Sequence, residues 1–153
     1  MELSEILTPE LIIYPLEANS KEEVISVLVD RLYKAGKILN SDAAKIAVIE
    51  REKLMSTGVG KGVALPHGKY VDIDDVLISV GISINGIDFD AVDSQPVHIF
   101  VLLLTPERFP SKHLKLLSKF SRMLNKANCR EEILKAVSAE EIAEIIYKYD
   151  TQV

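Results

Sequence analysis

The stretch VHIFVLLL, residues 97–104, is an almost unbroken apolar run that only His98 interrupts. A strand that is apolar at nearly every position has no face for solvent, which is typical of the centre of a sheet covered on both sides. We therefore expect a central strand here, with helices flanking both faces of the sheet. His98, alone in this run, is predicted to be a hydrogen-bonded core histidine.

A second long strand is predicted before the central one, over residues 76–84. Asn85 and Gly86 follow it, and an Asn-Gly pair between apolar runs is a signal for a tight hairpin. An antiparallel partner is therefore expected at residues 87–89. The sheet is predicted to be mixed, and the chain to be an α/β protein. Shorter strands are expected at residues 12–14 and 63–65.

The segments around these strands show helical patterns. Ser20 and Glu23 have capping-box spacing at the start of a helix that is predicted to reach Ala35, with Gly36 at its left-handed end. A second helix is expected from residue 41 or 42 to about residue 53. Two further helices are predicted near the C-terminus, at residues 130–137 and 138–149, the second capped by Ser138.

Composition indicates one folded domain. The chain has 153 residues, 48% of them hydrophobic, and no linker-like tract divides it, so a single domain over residues 1–153 is expected. The net charge of −5 argues against nucleic acid as a partner. The single Cys129 excludes an internal disulfide, and no apolar stretch reaches membrane-spanning length. A cytoplasmic location without direct membrane insertion is therefore expected.

The segment most suggestive of chemistry is REKLMSTGVGKGVALPHGK, from Arg51 to Lys69. Its alternating glycines, at positions 58, 60 and 62, permit unusual backbone conformations and let a ligand or partner approach the main chain closely. Pro66 restricts the backbone just before His67. Histidine changes its charge near neutral pH, so a histidine presented at a strand end by a rigid turn indicates chemistry.

A fifth helix is predicted over residues 111–124, with Ser111 as its cap and His113 in its first turn. The first turn has unpaired N–H groups and the positive end of the helix dipole, which favour a nearby anion and disfavour a protonated imidazole. One side of this helix carries Leu114, Leu117, Phe120, Ser121 and Leu124.

Common nucleotide and metal motifs fail on spacing. Gly62 and the Gly68-Lys69 pair are separated by five residues where the phosphate-binding Walker loop needs four. The glycines before them do not fit the dinucleotide fingerprint, and no serine lies in a nucleophile-elbow motif. The three histidines are not paired at short ligand spacing. No metal or other cofactor is therefore expected.

Arg51, His67 and His113 remain as a candidate phosphoryl site drawn from three parts of the chain. A neutral imidazole can attack phosphorus when an acceptor holds the proton of its other nitrogen, while a guanidinium and a second imidazole stabilise the equatorial oxygens. Taken singly, each residue also fits a structural role. His67 fits a hydrogen-bonded surface histidine, Arg51 a helix-end charge and His113 a helix cap.

A resemblance to a known family adds to these patterns. STGVGKGVALPHGK, Gly86-Ile87-Asp88-Phe89, DSQPVHIFVLLLTPE and HLKLLSKFSRML together resemble the type-2 EIIA domain, the fructose/mannitol family of the bacterial sugar phosphotransferase system. The resemblance covers nearly the whole chain. It implies an α/β fold with a mixed sheet flanked by helices.

The resemblance also implies roles for particular residues. His67 is implied as the phosphoryl acceptor, with Arg51 and His113 as its site partners, and no metal or nucleotide is needed. The backbone turn formed by Thr57, Gly58, Gly60 and Gly62 is expected to lie against the phosphate.

Two protein partners are implied, the phosphocarrier HPr as donor and a cysteine of an EIIB domain as acceptor, for sugar uptake. The alternative is a nitrogen-related regulator that binds other proteins according to the phosphorylation state of the same histidine. Candidates for an apolar partner surface are Val59, Val63, Leu65 and Phe109, of which Val63 and Leu65 are expected to pack inward.

Overall fold

The computed structural model of the chain describes residues 2–108 and 110–152. Within them, one six-stranded sheet is formed by β1 (Ile12–Ile13), β2 (Gly58–Gly60), β3 (Val63–Ala64), β4 (His67–Lys69), β5 (Leu77–Ile87) and β6 (Val97–Thr105). Five α-helices accompany it: α1 (Lys21–Lys34), α2 (Ser41–Leu54), α3 (Pro110–Leu124), α4 (Ala127–Lys135) and α5 (Ala139–Asp150). Two short 3₁₀ turns, Leu3–Glu5 and Pro9–Leu11, precede β1.

β6 is the central strand, as predicted. The strand order is β1-β5-β6-β3-β2, and β4 pairs with β6 further along the same side as β3. β6 runs antiparallel to β5 and parallel to β3 and β4, so the sheet is mixed. Every residue of β6 is buried except His98, which is half-buried. A strand without a solvent face at the sheet centre is what the apolar run predicts.

The predicted hairpin at Asn85 and Gly86 is wrong. β5 continues through both residues to Ile87, and its antiparallel partner is β6 rather than residues 87–89. Gly86 has a φ of +83°, and a Cβ there would lie 2.8 Å from the Cβ of Pro96 and 2.9 Å from the Cε1 of His98. The glycine therefore serves a bulge into which the histidine ring packs.

His98 is hydrogen-bonded, as predicted. Its Nδ1 lies 2.9 Å from the carbonyl oxygen of Ser83, which belongs to the bulged part of β5. The register of β5 against β6 shifts between Ile82 and Ile87, so residues 83–86 stand opposite His98 alone. The histidine thus ties the bulge to the central strand instead of interrupting it.

Helices cover both faces of the sheet. On one face, the hydroxyl of Ser79 donates to the carbonyl oxygen of Leu28 in α1, and a Cβ at Gly81 would clash with Leu16. Ile78, Val80 and Ile82 alternate with these residues and are also buried, so the opposite face is covered as well. α3 packs against β6 and α5 against β1.

The helix boundaries follow the capping signals in the first half of the chain. Ser20 accepts a hydrogen bond from the N–H of Glu23 at the start of α1, and Gly36 has a φ of +75° after its end. Asn40 caps α2 and accepts from the N–H of Ala43, so the helix begins at Ser41. The predicted bounds of both helices agree with the structure to within about a residue, although the Asn40 cap was not among the predicted signals.

Two C-terminal details differ from the prediction. α3 begins at Pro110, so Ser111 lies within its first turn and is not its cap. α4 begins at Ala127, three residues earlier than predicted. Its N-cap residue is Lys126, which makes no side-chain capping hydrogen bond, so the sequence carries no local signal for this start. Ser138 does cap α5, accepting from the N–H of Glu141.

The buried side of α3 coincides only in part with the side that carries the five residues named from its sequence, since it includes Phe120 and Leu124. Leu114 and Ser121 are exposed, whereas Leu117 is half-buried. The buried positions recur at intervals of four, three and one residues, which places them on one side of a helix. They are Leu116, Phe120, Met123 and Leu124.

Candidate functional site

His67 is the first residue of β4 and is held by the central strand. His67 is paired with Leu103, and the carbonyl oxygen of the preceding Pro66 accepts the N–H of Leu103 at 3.0 Å. The backbone on both sides of the histidine is therefore anchored in the middle of the sheet. The sequence predicts His67 at the end of a strand, whereas in the structure it begins β4.

The ring of His67 has a defined proton position. Its Nδ1 lies 2.9 Å from the carbonyl oxygen of Leu65. Since a carbonyl oxygen only accepts, Nδ1 carries the proton and Nε2 keeps the free lone pair. Burial lowers the pKa of His67 below its ordinary value, and the charge of Arg51 lowers it further, although the hydrogen bond to Leu65 and the charge of Glu52 act the other way. The ring is therefore neutral at neutral pH.

His113 lies beside His67, in the first turn of α3 as predicted. The two ring centroids are 5.0 Å apart, with an interplanar angle of 63°. Burial lowers the pKa of His113 to about 4. Repulsion from His67 when that ring is protonated, and the positive charges of Lys69 and Arg51, act in the same direction. His113 is thus a neutral imidazole at neutral pH.

The proton of His113 belongs on Nε2. Its Nδ1 is buried and has no hydrogen-bond partner among the described residues. A buried N–H without an acceptor is rarer and costlier than a buried lone pair without a donor. The tautomer with the proton on Nε2 is therefore favoured, which makes His113 a neutral hydrogen-bond donor.

Arg51 reaches the same place from the last turn of α2. Its Nη1 donates to the carbonyl oxygen of Met55 at 2.9 Å, which fixes the guanidinium at the C-terminal end of the helix. Gly68 permits this approach, since a Cβ there would lie 3.0 Å from the backbone N of Val48 and 3.1 Å from the carbonyl carbon of Ala47. The absence of a side chain at residue 68 lets α2 lie directly on β4.

These three residues line one open cleft of about 490 Å³. Lys69 also lines it, and the sequence reasoning missed this residue. It stands two positions after His67 in β4, and residues i and i+2 of a strand share a face, so the spacing was a usable signal. The cleft is lined by Ala47, Glu50, Arg51, Leu54, His67, Gly68, Lys69 and His113.

Thr57 lies outside this cleft and is buried. Its backbone N–H donates to one carboxylate oxygen of Glu52 at 3.0 Å, and its hydroxyl donates to the other at 2.5 Å. The side chain of Thr57 is therefore engaged inside the protein. Its predicted contact with phosphate stays a prediction.

The three glycines shape the edge of the sheet next to the site. A Cβ on Gly58 would lie 2.9 Å from the Cα of Ala91. Gly60 and Gly62 have φ values of +96° and +78°, and the carbonyl oxygen of Gly62 accepts the N–H of Ile99. None of these three glycines is among the described residues that line the cleft. Their predicted place against the phosphate also stays a prediction.

Other chemistry is sparse in the described part of the chain. Across residues 2–108 and 110–152, no three His, Cys, Asp or Glu side chains are grouped so that they could hold a metal ion. Cys129 is buried, and burial followed by the charge of Glu132 raises the pKa of its thiol to about 11, so it is unreactive. In the same ranges, none of the helices has the length and apolar character needed to cross a membrane.

Curated relatives fall into two groups. The chain is 36% identical over 150 residues to the fructose-specific EIIABC component of Bacillus subtilis, covering 98% of this chain and 24% of that protein. It is 34% identical to the fructose-specific EIIA component of Haloferax volcanii, covering 95% and 94%. It is also 34% identical to a nitrogen regulatory protein of Bradyrhizobium diazoefficiens, covering 96% and 93%.

Solved structures show the same fold. The nitrogen regulatory protein IIA-Ntr from Neisseria meningitidis superposes with a TM-score of 0.88 at 31% identity, covering 94% of this chain and 98% of that one. The mannitol IIA protein of Escherichia coli superposes with a TM-score of 0.77 at 22% identity, covering 92% and 98%.

The family match spans almost the entire chain. Residues 5–149 match the family described as the phosphoenolpyruvate-dependent sugar phosphotransferase system, EIIA 2. This is the family that the glycine-rich PHG motif and the HL helix resemble. The chain belongs to the EIIA 2 family of the phosphoenolpyruvate-dependent sugar phosphotransferase system.

Proposed function

We propose that the chain is a phosphoryl carrier for sugar uptake, which accepts phosphate from phospho-HPr on Nε2 of His67 and passes it to a cysteine of an EIIB component. The observation that supports this most strongly is the hydrogen bond between Nδ1 of His67 and the carbonyl oxygen of Leu65. It directs the ring's lone pair to Nε2, and the lowered pKa of His67 keeps that lone pair free at neutral pH.

The first transfer is a displacement at phosphorus. The Nε2 lone pair of His67 forms the new N–P bond while the P–N bond of the donor phosphohistidine breaks, and its electron pair returns to the donor's ring nitrogen. The proton on Nδ1 stays in place, held by Leu65. Loose transition states of this kind put charge on three equatorial oxygens, so the protein contributes by positioning and charge stabilisation.

Three groups around His67 can stabilise those oxygens. Arg51 supplies a guanidinium that is always charged, Lys69 an ammonium, and His113 a neutral N–H donor. The second transfer reverses the first, with a cysteine thiolate of EIIB as the attacking group. The same three groups then release the phosphoryl group from Nε2.

An apolar rim beside the cleft suits two partners that dock in turn. Leu54, at the end of α2, is 82% exposed and lines the cleft, and Leu114, next to His113, is 64% exposed. Val59 is also exposed. HPr and EIIB must both reach His67, so they are expected to compete for this rim.

The other residues predicted for the partner surface are placed differently. Val63 and Leu65 are buried, which confirms the expectation that they pack inward. Phe109 lies outside the described residues. The proposed rim therefore rests on Leu54 and Leu114, which the sequence reasoning did not select. Val59 is exposed, but it lines a separate hollow with Ser121, Leu124 and Asn125.

The second candidate function is regulation through partner binding. It is favoured by the identity to nitrogen regulatory proteins and by the TM-score of 0.88 with the Neisseria protein. In this alternative, His67 takes the same phosphoryl group, and its phosphorylation state decides which protein binds the rim. We place either activity in the cytoplasm, where Cys129 would stay reduced.

A reconstituted transfer chain separates the two functions. The phosphorylated protein is mixed with isolated EIIB domains of fructose and mannitol type, and phosphate on the EIIB cysteine is followed by mass spectrometry. Rapid loss of phosphate from His67 to one EIIB domain supports the carrier function. A protein that is phosphorylated on His67 but transfers to neither domain supports the regulatory alternative.

A further inference from the structure

Glu52 is a buried carboxylate immediately after Arg51 in the last turn of α2. It is only 5% exposed, although buried charges are costly unless they are paired and hydrogen-bonded. Its partners satisfy this requirement. Lys21 of α1 lies 3.2 Å from Oε2, and Thr57 donates to both carboxylate oxygens.

Thr57 connects this carboxylate to the segment that presents His67. Its carbonyl oxygen accepts the backbone N–H of Leu65 at 3.0 Å. The carbonyl oxygen of Leu65 in turn accepts the Nδ1 proton of His67 at 2.9 Å. A continuous set of hydrogen bonds therefore runs from Glu52 through Thr57 and Leu65 to the ring.

We propose that Glu52 is a positioning residue for phosphoryl transfer, whose carboxylate holds Thr57 and thereby the Leu65 carbonyl that keeps the His67 proton on Nδ1. This inference rests on the proposed function, since it concerns the same histidine. Glu52 itself does not line the cleft and touches no phosphate, whereas its neighbour Arg51 does line it. In this proposal, Arg51 faces the cleft, and the next residue of the same helix, Glu52, holds the buried side of the segment that presents His67.

The negative charge of Glu52 has a second consequence at the ring. As Nε2 attacks phosphorus, positive charge develops on the imidazole, and a nearby carboxylate stabilises it. Glu52 acts on the unphosphorylated ring in the same sense, raising the pKa of His67 against the larger effect of burial. Removing the charge should therefore lower that pKa further.

The test uses Glu52→Gln and Thr57→Val in the full chain. Glutamine keeps the shape and an acceptor for the Thr57 N–H but removes the charge, while valine removes the hydroxyl that donates at 2.5 Å. Ring ¹⁵N shifts of His67 report its tautomer and its pKa. We expect the wild type to show a protonated Nδ1, and both variants to show a mixture of tautomers, with a lower pKa of His67 in Glu52→Gln.

Kinetics give a second readout. With phospho-HPr as donor, we expect kcat for phosphate uptake to fall roughly ten- to hundredfold in Glu52→Gln, because small misplacements of a nucleophile have effects of this size. KM for phospho-HPr should stay unchanged, since Glu52 is buried. Glu52→Asp, which keeps the charge, should recover part of the rate.

Matched controls separate positioning from stability. Asp150→Asn alters another buried carboxylate, which accepts the N–H of Leu3 at 2.8 Å and pairs with Lys119. Ser79→Ala removes another buried hydroxyl, which donates to Leu28. Both should lower stability and leave the ¹⁵N pattern of His67 unchanged.

The inference is overturned if Glu52→Gln and Thr57→Val both keep the wild-type tautomer and pKa of His67. It is also overturned if Asp150→Asn and Ser79→Ala change the tautomer and pKa of His67 as strongly as Glu52→Gln and Thr57→Val do. If Glu52→Gln fails to fold, Thr57→Val decides, because it keeps the Glu52–Lys21 ion pair. A wild-type protein that takes no phosphate on His67 would end the proposed function, whereas the tautomer measurement would still decide the role of Glu52.

Discussion

The rings of His67 and His113 meet edge to face with their centroids 5.0 Å apart, although 46 positions separate the two residues in the chain. Two imidazoles this close do not both carry a proton readily, since like charges at short range disfavour ionisation. Burial and the charges of Arg51 and Lys69 act in the same direction on His113. Both imidazoles are therefore neutral at neutral pH, as the proposed phosphoryl transfer to His67 requires.

Stability should depend on pH through His113. Its pKa in the folded protein is about 4, below its ordinary value of 6.5, so the unfolded chain binds more protons between these values. The free energy of unfolding should therefore fall as pH is lowered from about 6.5 to about 4. Urea unfolding at several pH values should show a shallower fall in His113→Gln. An equal fall in both proteins would mean that His113 is not held neutral.

Arg51→Ala should slow phosphate uptake by roughly ten- to hundredfold, because a hydrogen bond to a charged group contributes about 1.5–3 kcal/mol. It should also lower the free energy of unfolding by about 1 kcal/mol, since the bond from Nη1 to the Met55 carbonyl is lost. Stopped-flow transfer and urea unfolding measure the two effects. Lys53→Ala, in the same helix turn and paired with Glu50 at the surface, is the control. Similar transfer rates for the two variants would mean that Arg51 is a structural charge at the helix end and does not contribute to transfer.

Gly68→Ala should disturb the site by pushing α2 away from β4. The added Cβ would lie 3.0 Å from the backbone N of Val48, so the helix that carries Arg51 must shift. Overpacking of this kind costs about 1–3 kcal/mol of stability. Gly36→Ala is the control, because its strain arises from a φ of +75° at the end of α1. Both variants should be destabilised, but only Gly68→Ala should lose transfer rate per folded molecule.

The sequence predicted those parts of the fold whose signals are local. Ser20 with Glu23 and Ser138 with Glu141 mark helix starts by hydrogen bonds within four residues, and the run at 97–104 marks the central strand by composition alone. Asn85-Gly86 misled because the same pair that favours a hairpin also fits a bulge. The ring of His98, distant in sequence, decides between them.

The grouping of three residues in the candidate cleft was predictable from the sequence, whereas Thr57, Gly58, Gly60 and Gly62 do not line that cleft. Arg51, His67 and His113 were selected from their places at element ends, and the structure brings them together in one cleft. Glu52 was not selected, because a glutamate near a helix end usually faces solvent. Its proposed role follows from its burial and from its hydrogen bonds to Thr57, which are known only when α2 and the glycine segment are packed together.

Leu54→Ser and Leu114→Ser should each raise KM for phospho-HPr without lowering stability, because both leucines are largely exposed beside the cleft. Chemical-shift mapping with HPr should show changes at Arg51, His67 and the first turn of α3. Leu39→Ser is the control, since Leu39 is 88% exposed just before the opposite end of α2, about 20 Å away along the helix. Shifts confined to α4 and α5 would contradict the proposed rim.

The most direct test of the proposed carrier function is the position of the phosphoryl group after incubation with phosphoenolpyruvate, the general phosphotransferase enzyme and HPr. Correlated ³¹P and ¹⁵N spectra of the labelled protein should place one phosphoryl group on Nε2 of His67, with the Nδ1 proton retained. His67→Ala should accept none. Acid-labile phosphate in His67→Ala at the wild-type level, or phosphate on Nδ1 of His67, would contradict the account.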